Sequence, residues 1–309
     1  MDAGPRPELK AQTERRERLI GIALMGGALL CFSGLDATAK WLNRSIDPMM
    51  TVWARYVGSV MLVSLFINPW TTPRLLHTRR PWLQGVRSLL LLLSTALNFI
   101  ALQYLQLTET LSIMFATPLL VALFSGPVLG EWVGPRRLVA IGVGFLGVIV
   151  VTRPGLGGMH PAALLSVVGA CCYAFYGIST RMLAGYDSSA TTMFYSGLAG
   201  VLIMMPALPL YWSTPASWTV WGLMLLVGAF GALGHWLLIL AHARAPASVL
   251  APFIYTQIVA MTALGYLVFG DLPDRFTLLG AAIVIGSGLY LLYRERVRGA
   301  QARGAKAQA

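Results

Sequence analysis

Asp36 is the one acid set well inside an apolar run; Lys40 follows four residues later, on the same helical face, and Arg55 sits at similar depth in the next run. A charge in hydrocarbon costs at least about 2.5–3.5 kcal/mol on insertion scales, so each needs a partner or a wet cavity. Two chemistries fit these three residues. Lys40 or Arg55 could meet an anionic group on a solute, or these charges could form an internal ion pair that merely fixes helices 1 and 2. Arg55 favours the first, because its counterpart in the second half of the chain falls near the uncharged Ser196. Asp36 is also the single good candidate for a proton-coupled step.

Asn98 and His235 lie near equivalent positions of the two halves, each about six residues from the end of its apolar run. Polar groups at that depth face other helices or a cavity rather than lipid. A lone histidine is more often a hydrogen-bonded packing residue than a ligand contact, and the symmetric placement brings the two readings level. Tyr173, Tyr176, Tyr255 and Gln257 could add aromatic walls and hydrogen bonds, although aromatics in such runs also serve packing and the interfacial belt. Nothing points to catalysis: Gly-x-Ser-x-Gly, His-Glu-x-x-His, phosphate-binding glycine loops and Cys-x-x-Cys are all missing. Cys31, Cys171 and Cys172 lie inside apolar runs without metal-ligand spacing. No cofactor and no metal is expected.

The elements that must hold these residues follow from composition. Of 309 residues 57% are hydrophobic and 11% charged, against about 25% charged in an ordinary soluble domain. Runs of bilayer-spanning length, about 20 residues, recur along almost the whole chain. The expectation is an all-α membrane protein of ten spans: 19–42, 48–68, 83–104, 109–130, 137–153, 161–183, 190–211, 218–241, 248–269 and 276–293. Residues 1–18 form a disordered N-tail and 295–309 a C-tail, no cleavable signal is visible, and no extramembrane domain is expected.

Charge sets the orientation. The net charge of +11 is concentrated at span ends rather than in a nucleic-acid-binding patch. Ten alternating spans place seventeen of the 23 Lys and Arg on the side of both termini and three, Arg44, Arg153 and Arg275, on the other. By the positive-inside rule both termini are cytoplasmic, in a multi-pass protein of the cell inner membrane.

One unit occurs twice. An apolar run ends in Gly130-Glu131, a turn holds Pro135, and a glycine-studded run stops at Arg153; 140 residues later Gly270-Asp271, Pro273 and a run carrying Gly280, Gly286 and Gly288 repeat the order. Cys31, Phe32, Thr38 and Lys40 are likewise echoed by Cys172, Tyr173, Ser179 and Arg181 at an offset of 141. Five spans per copy, an odd number, inserts the second copy (161–294) upside down relative to the first (19–154). Inverted repeats of this kind build a site at their interface and let one half rock against the other.

The ten short-looped spans, the Gly130-Glu131 and Gly270-Asp271 pairs with a glycine-rich helix after each, and Pro118 in the fourth span resemble the drug/metabolite transporter superfamily in its EamA-type branch. Ile258 stands where a second-half counterpart of Pro118 belongs, with Pro252 six residues earlier. The run from Ala251 through Tyr255-Thr256-Gln257 to Gly270-Asp271-Leu272-Pro273 also resembles a subgroup that includes S-adenosylmethionine or riboflavin uptake proteins. The resemblance implies a secondary transporter, not an enzyme. It would move a small metabolite by alternating access, whether by uptake of such a compound or by export of an amino acid or metabolite. The site would lie near the midplane, lined by spans 1, 3, 4, 6, 8 and 9. The partners are the solute, the lipid bilayer and, left open, a second copy in a homodimer; no nucleic acid is among them. A membrane-embedded enzyme acting on a lipid-linked substrate is the alternative, and it lacks its acid, base and nucleophile here. A structural or sensory subunit would instead have a solid interior with no central cavity.

Overall fold

A computed structural model describes residues 7–68, 70–154 and 160–308. Its elements are α1 (Pro7–Leu42), α2 (Pro48–Phe66), α3 (Pro81–Ala101), α4 (Leu107–Met114), α5 (Thr117–Leu129), α6 (Pro135–Thr152), α7 (Ala162–Leu183), α8 (Ser189–Met204), α9 (Leu208–Tyr211), α10 (Trp218–Arg244), α11 (Ala247–Leu250), α12 (Gln257–Leu264) and α13 (Arg275–Gln308), with a 3-10 segment at Ala251–Thr256 and a π-turn at Gly265–Phe269. Among the described residues, nine segments are long and apolar enough to cross a membrane, and Ser189–Met204 is a shorter apolar helix. No strand occurs among them. The chain is an all-α membrane protein.

α2, α8 and α10 start at side-chain caps, Asp47, Ser188 and Ser217. Asp47 accepts from the Met49 N–H at 2.7 Å ahead of Pro48, and Ser188 accepts from the Thr191 N–H at 3.1 Å. These two caps occupy equivalent places in the repeat, opening α2 and α8, and each satisfies an N–H that the first turn leaves orphaned. Gly130 and Gly270 end α5 and the π-turn in the left-handed region, at φ 74° and 72°. The following N–H of Glu131 returns to the Ser125 carbonyl and that of Asp271 to the Gly265 carbonyl. Such a closure needs a residue without a Cβ at the glycine.

The fourth and ninth spans are both broken, and at the same place. α4 stops at Met114 and α5 starts at Thr117; the 3-10 segment stops at Thr256 and α12 starts at Gln257, 140 residues after Thr117. Pro118 and Pro252 differ in register by six residues relative to the repeat, yet the two bends coincide. Phe115 and Tyr255, also equivalent, meet edge to face at 5.1 Å between ring centroids. The relation between the halves therefore passes close to this pair.

α1 packs along α10, and its counterpart α7 packs along α3; α6 packs along α13. Small residues let backbones close up where lipid supplies no hydrophobic drive. A Cβ at Gly228 would lie 2.6 Å from the Gly58 Cα, and Ser59 Oγ donates to the Gly228 carbonyl at 3.0 Å. The obstacle is backbone, so it cannot rotate away. Gly228→Val should therefore separate α10 from α2 and cost about 2–4 kcal/mol, at the upper end of overpacking effects. Thermal melting in detergent checks this, with Gly222→Val, which meets nothing within 4 Å, as the control. Large apolar side chains cover the outside, and Trp70, Trp82, Trp132 and Trp218 stand exposed at helix ends in the manner of an interfacial belt.

Two expectations change here. The first helix was expected to begin at residue 19, but α1 already runs from Pro7. Helix-favouring Glu, Lys, Gln and Arg fill that stretch, and Glu17 lies 3.9 Å from Arg244 at the end of α10. Residues 1–6, Pro69, the 155–159 part of the central connection and Ala309 lie outside the described residues. The seventh span ends at Met204 rather than continuing to 211; Pro206 interrupts it, and α9 resumes at Leu208.

Candidate functional site

The face at which α1 enters, marked by Glu17 and Arg244, holds the mouth of a cavity of about 580 Å³. Ala184, Ser189, His242 and Ala243 are exposed around the mouth, and Arg55, Tyr176 and His235 lie deeper. α2, α3, α7, α8 and α10 supply the walls, so both halves of the chain contribute. The opposite, far face is closed: Leu42, Ile46, Met50, Leu102, Leu105 and Leu107 join one continuous buried cluster there.

Arg55 stands near mid-length of α2 and is 92% buried, with 8% exposed. Its Nη1 donates to Thr95 Oγ1 at 3.2 Å and its guanidinium rests 4.8 Å over the Tyr56 ring. Among the described residues its buried Nε has no hydrogen-bond partner. Asp36 of α1 is within electrostatic reach but makes its own bond to Asn98, whose Nδ2 donates to Asp36 Oδ1 at 3.2 Å. Arg55 is therefore a cation with donor capacity left over beside a cavity.

Arg87 of α3 is the contrary case. Its Nε donates to Thr180 Oγ1 at 2.7 Å, Nη1 to the Thr192 carbonyl at 3.0 Å and to Ser196 Oγ, and Nη2 to the Tyr176 hydroxyl at 2.8 Å. The Tyr176 ring lies 4.5 Å from its guanidinium carbon. One side chain thus ties α3 to both α7 and α8. The Tyr176 oxygen accepts from Arg87, which leaves the Tyr176 proton for another acceptor.

Of the residues expected at the site, Arg55, Tyr176 and His235 line the cavity. His235 packs edge to face on Phe32 at 5.1 Å, and Tyr173 stacks behind Tyr176 at 5.4 Å without reaching the lining. Asp36 and Asn98 form a layer behind Arg55. Tyr255 is buried against Phe115, its hydroxyl so close to Gly288 that a Cβ there would collide with it. Gln257 is buried at the start of α12 and does not line the cavity. Spans 1, 4 and 9, expected among the walls, are not among those that form it.

The Asp36–Lys40 pairing does not occur. Lys40 Nζ is 2.9 Å from Asp271 Oδ2 and donates to the Leu105 carbonyl at 2.8 Å, at the far face. Lys40 is one turn nearer the helix end than Asp36, and a long lysine side chain runs outward to the interface when it can. Arg87 was missed as a site residue, although a charge inside a span carries the same signal that singled out Arg55.

Asp187, at the rim of the cavity, docks the loop before α3. Burial would push its carboxyl up, but the Thr78 hydroxyl, the Arg79 N–H at 3.0 Å and Gln84 Nε2 at 2.8 Å donate to it and hold it below the usual carboxylate range.

An all-helical, two-repeat membrane protein with a cavity between its halves, a few charged and polar side chains set among apolar walls and reached from one face, has the architecture of a membrane transporter. The chain belongs to the EamA-like transporter family, whose profile matches residues 19–153 and 160–294. It is 27% identical to an S-adenosylmethionine uptake transporter of Rickettsia bellii over 90% of this chain and 94% of that one. It is 28% identical to a riboflavin transporter of Vibrio cholerae over 88% of this chain and 93% of that one. A crystal structure at 18% identity has the same fold, with a TM-score of 0.60 over 87% of this chain and 94% of that one.

Proposed function

We propose that this chain moves a small metabolite carrying a carboxylate and a planar ring across the inner membrane, with both termini and the cavity mouth on the cytoplasmic side. The observation that carries this reading is the buried, under-used guanidinium of Arg55 at the inner end of a cavity of about 580 Å³. That volume falls in the range of small-molecule sites, about 300–1,000 Å³. Carboxylates are the natural complement of an arginine with free donors. Tyr176, His235 and Phe194 supply ring faces and edges for a planar group. The Tyr176 proton can bond a ring nitrogen or oxygen. S-adenosylmethionine and riboflavin, the compounds in the relatives' names, both carry a planar heterocycle, and only the first also carries a carboxylate. We therefore place S-adenosylmethionine and its amino-acid-bearing analogues first.

Ligand-dependent thermal stabilisation of the purified protein tests this. A ligand specific for the folded state stabilises by about 2.7 kcal/mol at a hundredfold excess over Kd, a rise of several degrees. S-adenosylmethionine should stabilise, and its decarboxylated analogue, with the same ring and sulfonium, should not. Equal shifts with both compounds, or a shift with riboflavin alone, would overturn the carboxylate assignment.

A further inference from the structure

Two ion pairs stand at opposite ends of the molecule and are images of one another in the repeat. At the far face Lys40 of α1 meets Asp271 at 2.9 Å; at the mouth face Arg181 of α7 meets Glu131 through two N–H···O bonds of 2.7 and 2.6 Å. Lys40 and Arg181 are 141 residues apart, and Glu131 and Asp271 are 140 apart. Each pair therefore joins the first helix of one repeat to the end of the broken fourth span of the other. Both acids follow a left-handed glycine, Gly130 or Gly270, which fixes the direction in which the carboxylate leaves its helix.

The two pairs differ in surroundings. Lys40 and Asp271 are largely enclosed, at 13% and 31% side-chain exposure, while Arg181 and Glu131 are open, at 61% and 50%. Lys40 also donates to the Leu105 carbonyl and sits 5.1 Å over the Phe269 ring. The enclosed pair lies at the sealed end of the molecule and the open pair beside the mouth. A solvated ion pair is lost at little cost, whereas removing one partner of an enclosed pair leaves an uncompensated charge away from water and is strongly unfavourable.

We propose that these pairs are the two latches of the transport cycle. Lys40–Asp271 holds the far face shut in this conformation, and Glu131–Arg181 takes the enclosed role when the cavity opens to the other side. The proposal rests on the alternating-access reading of this chain. It accounts for the Gly-acid pairs closing both broken spans, which the solute site leaves unused. It also accounts for why the cation is retained at both Lys40 and Arg181 although one helix face lines the cavity and the other does not.

Single reporter cysteines test it, in protein whose Cys31, Cys171 and Cys172 are replaced by serine. Leu102→Cys reports on the sealed far end and Ser59→Cys on the cavity, each labelled in oriented vesicles by an impermeant maleimide added on one side. Asp271→Asn should raise labelling of Leu102→Cys from the far side at least about fivefold, the lower bound of ordinary conformational coupling, and reduce labelling of Ser59→Cys from the mouth side. Glu131→Gln should shift the ratio in the opposite direction or leave it at the mouth-open value. The charge-reversed protein, Lys40→Asp with Asp271→Lys, should return to the parent ratio, which excludes misfolding as the cause. An unchanged ratio in Asp271→Asn, a shift of the same sign in both single variants, or failure of the reversed pair to restore the ratio overturns the latches. Alternating access is judged separately, from whether added S-adenosylmethionine redistributes labelling between the two reporters in the parent protein.

Discussion

Arg55→Ala is expected to lower uptake into proteoliposomes at least about thirtyfold, because removing one partner of a desolvated charge pair costs about 2–5 kcal/mol and each 1.4 kcal/mol is tenfold. The protein should remain folded and inserted. Among the described residues Arg55 makes one hydrogen bond, to Thr95 of α3 at 3.2 Å, against the four by which Arg87 joins α3 to α7 and α8. Arg55→Lys should recover part of the activity, since it restores a point charge without the planar fork. A competing account has Arg55 serving only as counter-charge to Asp36. The two accounts separate in the double variant Asp36→Asn with Arg55→Gln, which removes both charges. Uptake restored by neutralising the pair would sink the substrate contact; uptake still lost in a protein of unchanged melting temperature supports it.

Hydropathy and charge were sufficient to place the spans and to reveal the repeat, because those signals are local or recur at a fixed offset. Helix ends came within a few residues where a cap was visible, as at Asp47-Pro48. The bend of the ninth span was harder: Pro252 stands six residues ahead of the place equivalent to Pro118, yet the break falls at Thr256, the equivalent of Ala116, beside the meeting of Phe115 with Tyr255. Partner identity was the least legible. Spacing showed that Asp36 and Lys40 share a face but could not show that Asp271, 231 residues further along, waits beside Lys40. The walls of the cavity depend on which of two pseudo-equivalent gaps is open in one conformation. A sequence encodes both gaps at once: α2 with α8 and α3 with α10 are one another's counterparts, so what it cannot select is α7 over its own counterpart α1.

Arg87 should behave oppositely to Arg55. The hydroxyls around it have already spent their protons: Thr180 Oγ1 donates to the Tyr176 carbonyl at 2.7 Å and Ser196 Oγ to the Thr192 carbonyl at 2.9 Å. They can only accept from Arg87, so no rearrangement of those hydroxyls replaces it. Arg87→Met would leave the oxygens of Thr180, Ser196 and Tyr176 without their arginine donor and release α3 from α7 and α8. At about 0.6 kcal/mol for an average interhelical bond in a membrane, and more for one from a charged donor, the four bonds sum to roughly 2–4 kcal/mol. At about 2–4 °C per kcal/mol for a chain of this size class, the melting temperature should fall by roughly 5–15 °C. Lysine offers three donors from one point and cannot span acceptors on two helices, so Arg87→Lys should recover little of it. Melting curves in detergent for the two variants beside Arg55→Ala make the comparison. A stable Arg87→Met protein that no longer transports would move Arg87 from the frame of the cavity to its substrate, and the cavity would then hold two anion contacts instead of one.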